Sequence, residues 1–458
     1  MLIELLRAAA ATVGEQAAII TPSRTVSYGA LLEHAEDLAR GLEARSLRRF
    51  GCVIEDPVDL LALLCASSLT GAEACVYRPT VEHALAGDLA AAFDHHVIVS
   101  DRADVADGVE IVSCSALATN DGVVPERAAQ SPVLILTTGT TGQPKGARHE
   151  WSRLLSGVRS HSIEPGSRWL LVYNLNQFAG IQVFLHALAG KATLVVPPSN
   201  QPQAALPFAR EHRVTHISAT PTFWRFAVVL LRDERADDLP LEQITLGGEA
   251  VPAPLLDDLR RLFPQARISQ IYASTEAGST VSVRDANNGL PISVLDRGDD
   301  AEVQMKIVDG ELHIRSRVGM LGYHGATDAP GDGSEWRATG DLVEVRGDRI
   351  HFVGRATEVI NVGGVKVHPL PVEAAVLAVP GVVAAHAYGR SSPVAGQIVA
   401  VDVVPADGVD EDELEDAIRD ACDELPPAAQ PRRIRIVEAL DVQDQKIVRR
   451  GSVESSPS

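Results

Sequence analysis

The residues of this chain that can do chemistry are concentrated first in a short segment of glycine, threonine and lysine. Segment 137–146 reads Thr-Thr-Gly-Thr-Thr-Gly-Gln-Pro-Lys-Gly and follows an apolar run, 133–136, that predicts a buried strand. Glycines let a backbone approach a ligand closely, while hydroxyls, N–H groups and the Lys145 charge suit phosphate oxygens. The P-loop of NTPases has Ser or Thr after its lysine, whereas Gly146 follows here. We therefore predict a different phosphate loop, between a strand and a helix. The alternative is a flexible surface loop of small polar residues.

The segments around this loop predict the elements that must position it. Between residues 133 and 272, short β-branched runs alternate with helical patterns. The predicted strands are 133–136, 169–173, 193–196, 216–219, 244–246 and 268–272. The predicted helices are 178–189, 202–211, 221–232 and 252–263. Such alternation indicates parallel sheets covered by helices, with ligands beyond the carboxyl ends of the strands. Two further motifs, Gly247–Ala250 and Tyr272–Glu276, also follow predicted strands, so we expect one shared site.

The pattern changes after about residue 300. Apolar and polar residues alternate on both sides of Asp309-Gly310 and of Arg346-Gly347-Asp348, which predicts hairpins. The strands of these hairpins are predicted at 302–307, 311–315, 342–345 and 350–353. Beyond residue 359, the pattern predicts helices at 371–378 and 409–424 and strands at 383–389 and 397–404, which indicates a small α+β domain. The predicted fold class is α/β, with a large N-terminal domain of parallel sheets covered by helices, a small β-barrel-like subdomain, and a small mobile α+β C-terminal domain.

Composition narrows the range of partners. A chain of 458 residues suits two or three domains. Its net charge of −20 argues against nucleic acid or an anionic membrane as the main partner. Five cysteines without metal-ligand spacing indicate reduced thiols in the cytoplasm. No uninterrupted apolar run reaches the ~18 residues of a membrane span. We expect a cytoplasmic monomer or homodimer.

Three later motifs complete a set that resembles a known family. They are Thr339-Gly340-Asp341, Gly354-Arg355 and Gly363-Gly364-Val365-Lys366-Val367. In order and approximate spacing, the set resembles the adenylate-forming (AMP-binding) enzymes, which include acyl-CoA synthetases, aryl acid ligases, peptide-synthetase adenylation domains and luciferases. The resemblance extends from near Thr25 to Arg450. It implies an N-terminal AMP-binding domain over 1–354, a hinge at 355–358, a C-terminal lid domain over 359–450 and a disordered tail over 451–458.

The resemblance implies nucleotide-binding and catalytic roles for matching residues. ATP and AMP contacts are implied at Thr137, Thr138, Gly139, Thr140, Thr141, Gly142, Gly248, Glu249, Ala250, Tyr272, Asp341 and Arg355. Within that set, Asp341 matches the aspartate that binds the ribose hydroxyls. Lys145 is expected to hold the departing phosphates, Thr275 to reach the α-phosphate, and Glu276 to hold Mg²⁺. Singly, these residues have plainer interpretations: Asp341 as a turn cap, and Glu276 as an acid at a helix N-terminus.

Lys446 matches the lysine that, in this family, bridges the substrate carboxylate and the α-phosphate. The family usually has glycine before this lysine, whereas Gln445 stands here. The alternative is a surface lysine in a basic tail. The family's second domain rotates about a hinge between two half-reactions, and the hinge position aligns with Thr357. A loop at Gly363, Gly364 and Lys366 is then expected to border the thiol of CoA or of a carrier-protein phosphopantetheine, although the glycines also suit a simple hairpin turn.

The segment 174–180, Asn-Leu-Asn-Gln-Phe-Ala-Gly, occupies the position that lines the acyl pocket in this family. No aspartate lies in it, which disfavours amino-acid activation. The segment is similar to that of hydroxybenzoate-activating enzymes. Pocket residues are expected at Gln177, Phe178, Phe223, Trp224 and Ser274, although aromatic residues at helical spacing are equally typical of a core.

The resemblance implies an AMP-forming acid–thiol ligase. Its first expected activity converts a small or aromatic carboxylic acid and ATP into acyl-AMP and pyrophosphate, with Mg²⁺, and then transfers the acyl group to CoA. The alternative is a stand-alone adenylating enzyme that loads a carrier-protein pantetheine or passes the acyl group to an amine. A non-catalytic nucleotide-binding relative is disfavoured, because Lys145, Glu276, Asp341, Arg355 and Lys446 are all present.

Overall fold

The computed structural model describes residues 2–137, 144–158, 166–233, 236–285, 287–326, 333–393, 395–443 and 446–449. Residues 2–137 form α1 (Leu2–Val13), β1 (Ala17–Ile20), β2 (Thr25–Ser27), α2 (Tyr28–Ala44), β3 (Arg49–Val53), α3 (Pro57–Thr70), β4 (Glu73–Val76), α4 (His83–Ala92), β5 (Val97–Ser100), β6 (Glu110–Val112), α5 (Cys114–Leu117) and β7 (Pro132–Thr137). Residues 144–233 form β8 (Lys145–Glu150), α6 (Trp151–Ser156), β9 (Arg168–Leu171), α7 (Phe178–Ala189), β10 (Thr193–Val195), α8 (Pro202–Glu211), β11 (His216–Ala219) and α9 (Pro221–Asp233).

Residues 236–326 form a 3₁₀ turn (Ala236–Asp238), β12 (Gln243–Gly247), α10 (Ala253–Leu262), β13 (Arg267–Ser274), β14 (Gly278–Val283), β15 (Leu290–Pro291), a second 3₁₀ turn (Ile292–Asp296), β16 (Val303–Val308), β17 (Glu311–Ser316) and β18 (Gly322–Tyr323). Residues 333–449 form β19 (Arg337–Arg346), β20 (Arg349–Arg355), a third 3₁₀ turn (Ala356–Glu358), β21 (Ile360–Val362), β22 (Val365–Val367), α11 (Pro369–Leu377), β23 (Val382–Ser392), β24 (Gly396–Pro405), α12 (Glu411–Cys422), β25 (Arg433–Ile436), β26 (Val442–Gln443) and β27 (Lys446–Ile447).

Two large mixed sheets form the N-terminal part. One has eight strands in the order β14-β13-β12-β11-β9-β10-β1-β2 and is parallel except at its two edges. The other has seven strands in the order β18-β8-β7-β4-β3-β5-β6, with β8 and β18 antiparallel to their neighbours. An apolar cluster packs one face of the eight-stranded sheet against α8, α9 and α10. The predicted α/β class, with parallel sheets covered by helices, is confirmed.

The segment predicted to be a phosphate loop is followed by a strand rather than directly by the predicted helix. The segment Lys145–Glu150 is a strand that pairs antiparallel with β7, with Thr137 opposite Lys145. The loop therefore closes a hairpin, and helix α6 begins only at Trp151. Buried Ala147 and His149 alternate with partly exposed residues, which is the period of a half-buried strand. Residues 138–143, with the predicted sites Thr138, Gly139, Thr140, Thr141 and Gly142, lie outside the described residues.

The antiparallel subdomain and the C-terminal part have the predicted order of elements. Strands β15, β20, β19, β17 and β16 form one antiparallel sheet, built on the two predicted hairpins. In the C-terminal part, β21 to β25 form a sheet that packs against α11 and α12. Val383, Ala384 and Val404 of this part pack against Phe226 and Val229 of α9, which joins the two parts of the molecule.

The acidic run 410–424 forms helix α12, with Asp410 as its N-cap. The Asp410 carboxylate accepts the backbone N–H groups of Asp412 and Glu413, both at 3.0 Å. Leu414, Ile418 and Cys422 are buried, whereas most of the acidic side chains are exposed, so the acidic residues form a solvated helix face. All five cysteines are buried free thiols. Among the helices that the structure describes, none is long and apolar enough to cross a membrane.

Candidate active site

Several predicted motifs meet in a cleft of about 1770 Å³. Its walls come from α7, from strands of the eight-stranded sheet and from the C-terminal segment 446–449. The parallel strands β11, β12 and β13 end at the same edge of their sheet, so the residues that come after them converge there. The predicted residues that line the cleft are Thr137, Gln177, Phe178, Gly248, Ser274, Thr275, Glu276, Arg355 and Lys446.

Asp341 is held between a phenol and a guanidinium. The Tyr272 hydroxyl, on β13, donates to Asp341 Oδ2 at 2.6 Å. Arg355 is the cross-strand neighbour of Asp341 on β20, and its Nε lies 3.1 Å from Asp341 Oδ1. Burial and the nearby Asp341 charge raise the pKa of Tyr272, so its hydroxyl remains a donor at neutral pH. The Tyr272 ring lies 4.9 Å from the ring of Phe352 between centroids. The carboxylate is thus fixed in place but still 15% exposed.

Glu276 and Lys145 are linked by a tyrosine that the sequence pattern did not identify. The Tyr323 hydroxyl donates to Glu276 Oε1 at 2.9 Å. Lys145 Nζ lies 5.4 Å from the centroid of the Tyr323 ring, within the range of a cation–π contact. Burial and the adjacent Glu276 charge raise the pKa of Tyr323 to about 12. Strand β18 carries Tyr323 and pairs with β8, so this contact depends on a pairing between distant segments.

The C-terminal lysine reaches the N-terminal part at Gly248. A Cβ added to Gly248 would lie 2.9 Å from Lys446 Cε and 3.2 Å from Lys446 Nζ. The φ angle of Gly248 is 86°, so both conformation and space require glycine here. Next to it, Glu249 accepts the N–H of Ile447 at 3.4 Å and the N–H of Thr222 at 3.0 Å. Lys446 therefore lies beside the loop that comes after β12.

The segment that carries Lys446 is anchored by a buried ion pair. Arg449 donates to both oxygens of Glu373 on α11, at 2.9 and 2.7 Å, and lies 3.7 Å from Glu358 Oε2. Glu373 also accepts the N–H of Ala387 at 3.0 Å and lies 3.4 Å from His386 Nδ1. The Glu373 side chain is only 6% exposed. The Glu373 carboxylate is therefore held by partners from the C-terminal sheet and from the segment next to Lys446.

Helix α7 forms one wall of the cleft. Gln177 is its N-cap residue, and Phe178 begins the helix at the cleft. The Phe178 ring lies 6.0 Å from the ring of His149 on β8. Burial lowers the pKa of His149 to about 4, so this histidine is neutral at physiological pH. This wall of the cleft therefore presents the carboxamide of Gln177 and the ring of Phe178, and the neutral His149 imidazole packs next to that ring.

Other predicted site residues lie away from the cleft. Phe223 and Trp224 belong to the core of the eight-stranded sheet, and the Trp224 ring lies 6.3 Å from Phe263, just after α10. This placement differs from the predicted pocket role, because the packing of α9 directs these rings into the core. Lys145, Glu249, Ala250, Tyr272 and Asp341 do not line the cleft, although most of them contact residues near it.

The predicted hinge and thiol loop also lie outside the cleft. Thr357 lies in the 3₁₀ turn Ala356–Glu358 and is exposed. Gly363 and Gly364 form the two-residue turn between β21 and β22, with φ angles of 57° and 89°. Apart from the adjoining residues of the chain, no atom of the residues that the structure describes lies within 4 Å of a Cβ added to either glycine. Lys366 is exposed on β22.

Sequence reasoning missed Tyr323, Glu373, Arg449 and the carboxamide of Gln182, whereas Asn176 lies in the segment 174–180 that was predicted to line the acyl pocket. Arg449 stands within the motif that contains Lys446, so its position was visible but its partner was not. The partner Glu373 lies 76 residues away, and Tyr323 lies 47 residues from Glu276. A single sequence carries no signal for contacts at such separations.

Comparison with known families identifies two matching regions. Residues 6–324 match the model of the AMP-binding enzyme family, and residues 371–444 match the model of the AMP-binding enzyme C-terminal domain. These regions agree with the large N-terminal and small C-terminal parts of the fold.

Curated relatives share about a quarter to a third of the aligned residues. Isonitrile lipopeptide synthase of Streptomyces coeruleorubidus is 27% identical over 85% of this chain, which covers 28% of that protein. Feruloyl-CoA synthase of an Amycolatopsis species is 30% identical over 62% of this chain and 61% of its own length. Indoleacetate–CoA ligase of Aromatoleum aromaticum is 27% identical, with 85% of each chain covered. The chain thus spans less than two thirds of the first two relatives.

Solved structures share the fold at low sequence identity. The anthranilate CoA ligase AuaEII in complex with anthranoyl-AMP has a TM-score of 0.82 and 19% identity, and 97% of this chain and 95% of that chain are covered. The o-succinylbenzoate CoA synthetase of Bacillus subtilis in complex with OSB-AMP has a TM-score of 0.77 and 21% identity, with 97% and 96% covered. Together with the family model over residues 6–324, these findings confirm the resemblance predicted from the motifs: the chain belongs to the AMP-binding enzyme family.

Proposed function

We propose that this chain is an AMP-forming acid–thiol ligase. It activates a small or aromatic carboxylic acid with ATP, forms acyl-AMP and pyrophosphate, and then transfers the acyl group to CoA. The observation that carries the proposal is the position of Lys446, which lies against Gly248 in the cleft that Thr275 and Glu276 also line. A cation brought there from the C-terminal part suits a reaction between two anions.

The first half-reaction joins the acid to AMP. A carboxylate oxygen attacks the α-phosphorus of ATP, the bond from that phosphorus to the bridging oxygen breaks, and pyrophosphate leaves. Such a reaction needs positioning and charge stabilisation rather than a protein nucleophile. Lys446 bridges the carboxylate and the α-phosphate, Thr275 contacts the α-phosphate, and Lys145 with Thr137 and the rest of the predicted phosphate loop holds the departing phosphates.

The nucleoside is held at the edge of the cleft, next to Gly248 and Arg355. Asp341 accepts the ribose hydroxyls, and it is already oriented by Tyr272 and Arg355. The loop Gly248–Ala250 forms the wall beside the adenine. Because the Asp341 carboxylate is fixed before ATP arrives, little side-chain entropy is lost on binding.

The Mg²⁺ that accompanies ATP fits a site at Glu276. Mg²⁺ in nucleotide enzymes is typically bound by one or two carboxylates together with substrate phosphates. Glu276 lines the cleft, and within the described residues no group of three or more His, Cys, Asp or Glu side chains forms a dedicated metal cage. When bound, the ion neutralises charge on the leaving phosphates. Glu276 would hold it, and the Tyr323 hydroxyl orients the carboxylate.

The second half-reaction requires another arrangement of the two domains, which we take as 1–354 and 359–450 around a hinge at 355–358. The thiol attacks the acyl carbon, and AMP leaves with the electrons of the acyl–phosphate bond. The turn at Gly363 and Gly364, with Lys366 beside it, borders the pantetheine arm of CoA after rotation about Thr357. The open space around both glycines supports close approach of such an arm.

The proposal also covers the identity of the acyl acceptor and of the acid. CoA is favoured because two relatives are named feruloyl-CoA synthase and indoleacetate–CoA ligase. A carrier-protein pantetheine or an amine is the alternative acceptor. Gln177, Phe178 and Ser274 border the acyl group. The five buried free thiols support a reducing compartment such as the cytoplasm.

A pyrophosphate-exchange screen over carboxylic acids tests the first half-reaction. The best acid is then offered with CoA, with a phosphopantetheinyl carrier protein and with amines, and the product is identified by mass. Exchange with an aromatic acid and then acyl-CoA formation are expected. Faster transfer to a carrier protein or an amine would favour the alternative, and an absence of exchange with every acid would contradict the proposed function.

A further inference from the structure

The α7 wall of the cleft presents side-chain oxygens that have no hydrogen-bond partner. Asn176 Oδ1, Gln177 Oε1 and Gln182 Oε1 are each buried, and none has a partner among the described residues. All three residues line the cleft. Buried polar groups without partners are rare in folded proteins, because each has lost its water without gaining another bond. Three of them on one wall indicate that something else supplies the donors.

The orientation of Gln182 is fixed by its other end. Its Nε2 donates to the carbonyl oxygen of Leu154 at 3.1 Å. An exchange of the amide nitrogen and oxygen would place two acceptors together, so the carbonyl oxygen is the end that remains unbonded. Along α7, cleft-lining residues recur at 179, 182, 183 and 186, which is the spacing of one helix face. Gln182 therefore lies on the cleft-facing side of the helix.

On the opposite wall the polar side chains of β12 and β13 are already paired within the protein, whereas Trp169 Nε1 on β9 is buried without a partner among the described residues. Gln243 Nε2 donates to Ser269 Oγ at 2.8 Å and to Thr245 Oγ1 at 3.2 Å. At one end of this wall the Trp169 ring stacks between His186 and His216, at centroid distances of 5.8 and 4.8 Å. The unpaired acceptors are thus concentrated on α7 and the two residues before it, opposite a wall that offers stacking, one unpaired N–H donor at Trp169 and no unpaired acceptor among these residues.

We propose that Gln182, with Asn176 and Gln177, selects acids whose acyl part carries a neutral hydrogen-bond donor, such as a ring hydroxyl or amine. This inference rests on the proposed function, because it concerns the acid that the same cleft activates. A donor on the acid pairs with a carboxamide oxygen, whereas an ether or a hydrogen at the same ring position leaves that oxygen unpaired. A site built to bond a substrate donor rejects the analogue that lacks it.

Matched acids test this directly on the wild-type protein. Benzoate and 3-phenylpropenoate are compared with their 2-, 3- and 4-hydroxy, amino and methoxy derivatives by kcat/KM for pyrophosphate exchange. At one ring position at least, we expect the hydroxy or amino acid to exceed the methoxy and unsubstituted acids by about tenfold or more. Benzene dicarboxylates are included, since Arg267 at the start of β13 also lines the cleft. A preference for them, or equal rates for all acids, would overturn the inference.

Two variants test whether Gln182 causes the preference for acids with a hydrogen-bond donor. Gln182→Met keeps the side-chain length but removes the acceptor, so the donor preference is expected to fall to within about twofold of unity. Gln16→Met is the matched control, because Gln16 Nε2 also donates to a backbone carbonyl, that of Lys191 at 2.8 Å, but lies outside the cleft. Its donor preference is expected to equal that of the wild type. A preference that survives Gln182→Met would contradict the role of Gln182.

Calorimetric binding of the same acids, without ATP, separates this inference from the proposed function. If no acid supports exchange but hydroxy or amino acids bind the wild type about tenfold more tightly than methoxy acids, the pocket inference stands and the proposed function fails. If exchange occurs without any donor preference in rate or binding, the proposed function stands and the pocket inference is overturned, with water satisfying the three oxygens. Wild-type binding also remains informative if Gln182→Met does not fold.

Discussion

Replacement of Arg449 by methionine is expected to loosen the segment that carries Lys446. Arg449 makes two hydrogen bonds to Glu373, at 2.9 and 2.7 Å, and their side chains are 22% and 6% exposed. Methionine keeps much of the aliphatic length but leaves the Glu373 carboxylate without its main counter-charge. Because Lys446 is close to Arg449 along the chain, loss of this anchor is expected to free the lysine as well.

The pKa of Glu373 gives the size of the expected loss of stability. Burial raises the pKa of this carboxyl, but Arg449 and His386 outweigh burial and hold it at about 2, below the ordinary 4.5. Each pKa unit corresponds to about 1.4 kcal/mol, so the charge contacts, net of the opposing cost of burial, contribute about 3 kcal/mol at neutral pH. This value agrees with the cost of removing one partner of a buried ion pair, which is typically about 3–5 kcal/mol. Since the folded pKa is the lower one, this stabilisation is present above about pH 4.5 and is lost as the pH falls towards 2.

Urea unfolding at pH 7 measures the loss of stability, and the rates of the two half-reactions measure the loss of position of Lys446. We expect Arg449→Met to lower the free energy of unfolding of the C-terminal part by about 3 kcal/mol. If all of this energy acts on the position of the segment, pyrophosphate exchange falls by up to about a hundredfold. Thioester formation from supplied acyl-adenylate is expected to fall much less. Arg419→Met is the control: its partner Glu415 is an i,i+4 neighbour on the solvated face of α12, so its loss costs about 0.5 kcal/mol or less.

Two outcomes would refute this reasoning. If Arg449→Met destabilises the protein no more than Arg419→Met, the ion pair is effectively solvated and contributes little. If stability falls but exchange is unchanged, the pair does not position Lys446. The double variant Glu373→Gln/Arg449→Met is expected to recover part of the stability, because the buried charge is gone, but not the position of the segment.

Three further substitutions test the proposed roles. Lys446→Ala should reduce pyrophosphate exchange by several orders of magnitude and spare thioester formation from acyl-adenylate. Its control is Lys306→Ala, which loses a contact 4.5 Å above the Trp336 ring and should match the wild type. Equal loss in both half-reactions would contradict the proposal that the domains adopt a different arrangement for each half-reaction. Glu276→Gln should raise the Mg²⁺ concentration needed for half-maximal exchange, because one ligand charge is lost, and an unchanged Mg²⁺ titration would remove Glu276 from the metal site. Gly364→Leu should slow thioester formation selectively. Gly364→Asn should slow it less, because asparagine tolerates the φ of 89° better. If both variants instead lower the melting temperature and both half-reactions together, the glycine is purely a turn residue.

Local patterns predicted many elements closely. The helices predicted at 178–189 and 202–211 and the strand at 216–219 have the bounds of α7, α8 and β11. These segments have strong periodicity and clear ends, such as the glycine at 190. The hairpin turns at Asp309-Gly310 and Arg346-Gly347 were also predicted, because glycine with φ above zero is favoured there. Strand β8 was missed, since its first two residues, Lys145 and Gly146, end a motif that was interpreted chemically and only four residues of the strand follow that motif.

The order of the motifs determined the family and the edge of the sheet where the site lies, because parallel strands end together and the loops after them must meet. Only the tertiary structure decided which side chains touch. Tyr272 bonds Asp341 across 69 residues and Ile447 bonds Glu249 across 198, and no local period constrains such pairs. The same holds for Phe223 and Trp224, whose helical spacing suits a pocket or a core equally well. The packing of α9 against α10 placed them in the core, and the position of α7 put Asn176, Gln177 and Gln182 on the cleft wall with their carboxamide oxygens unpaired.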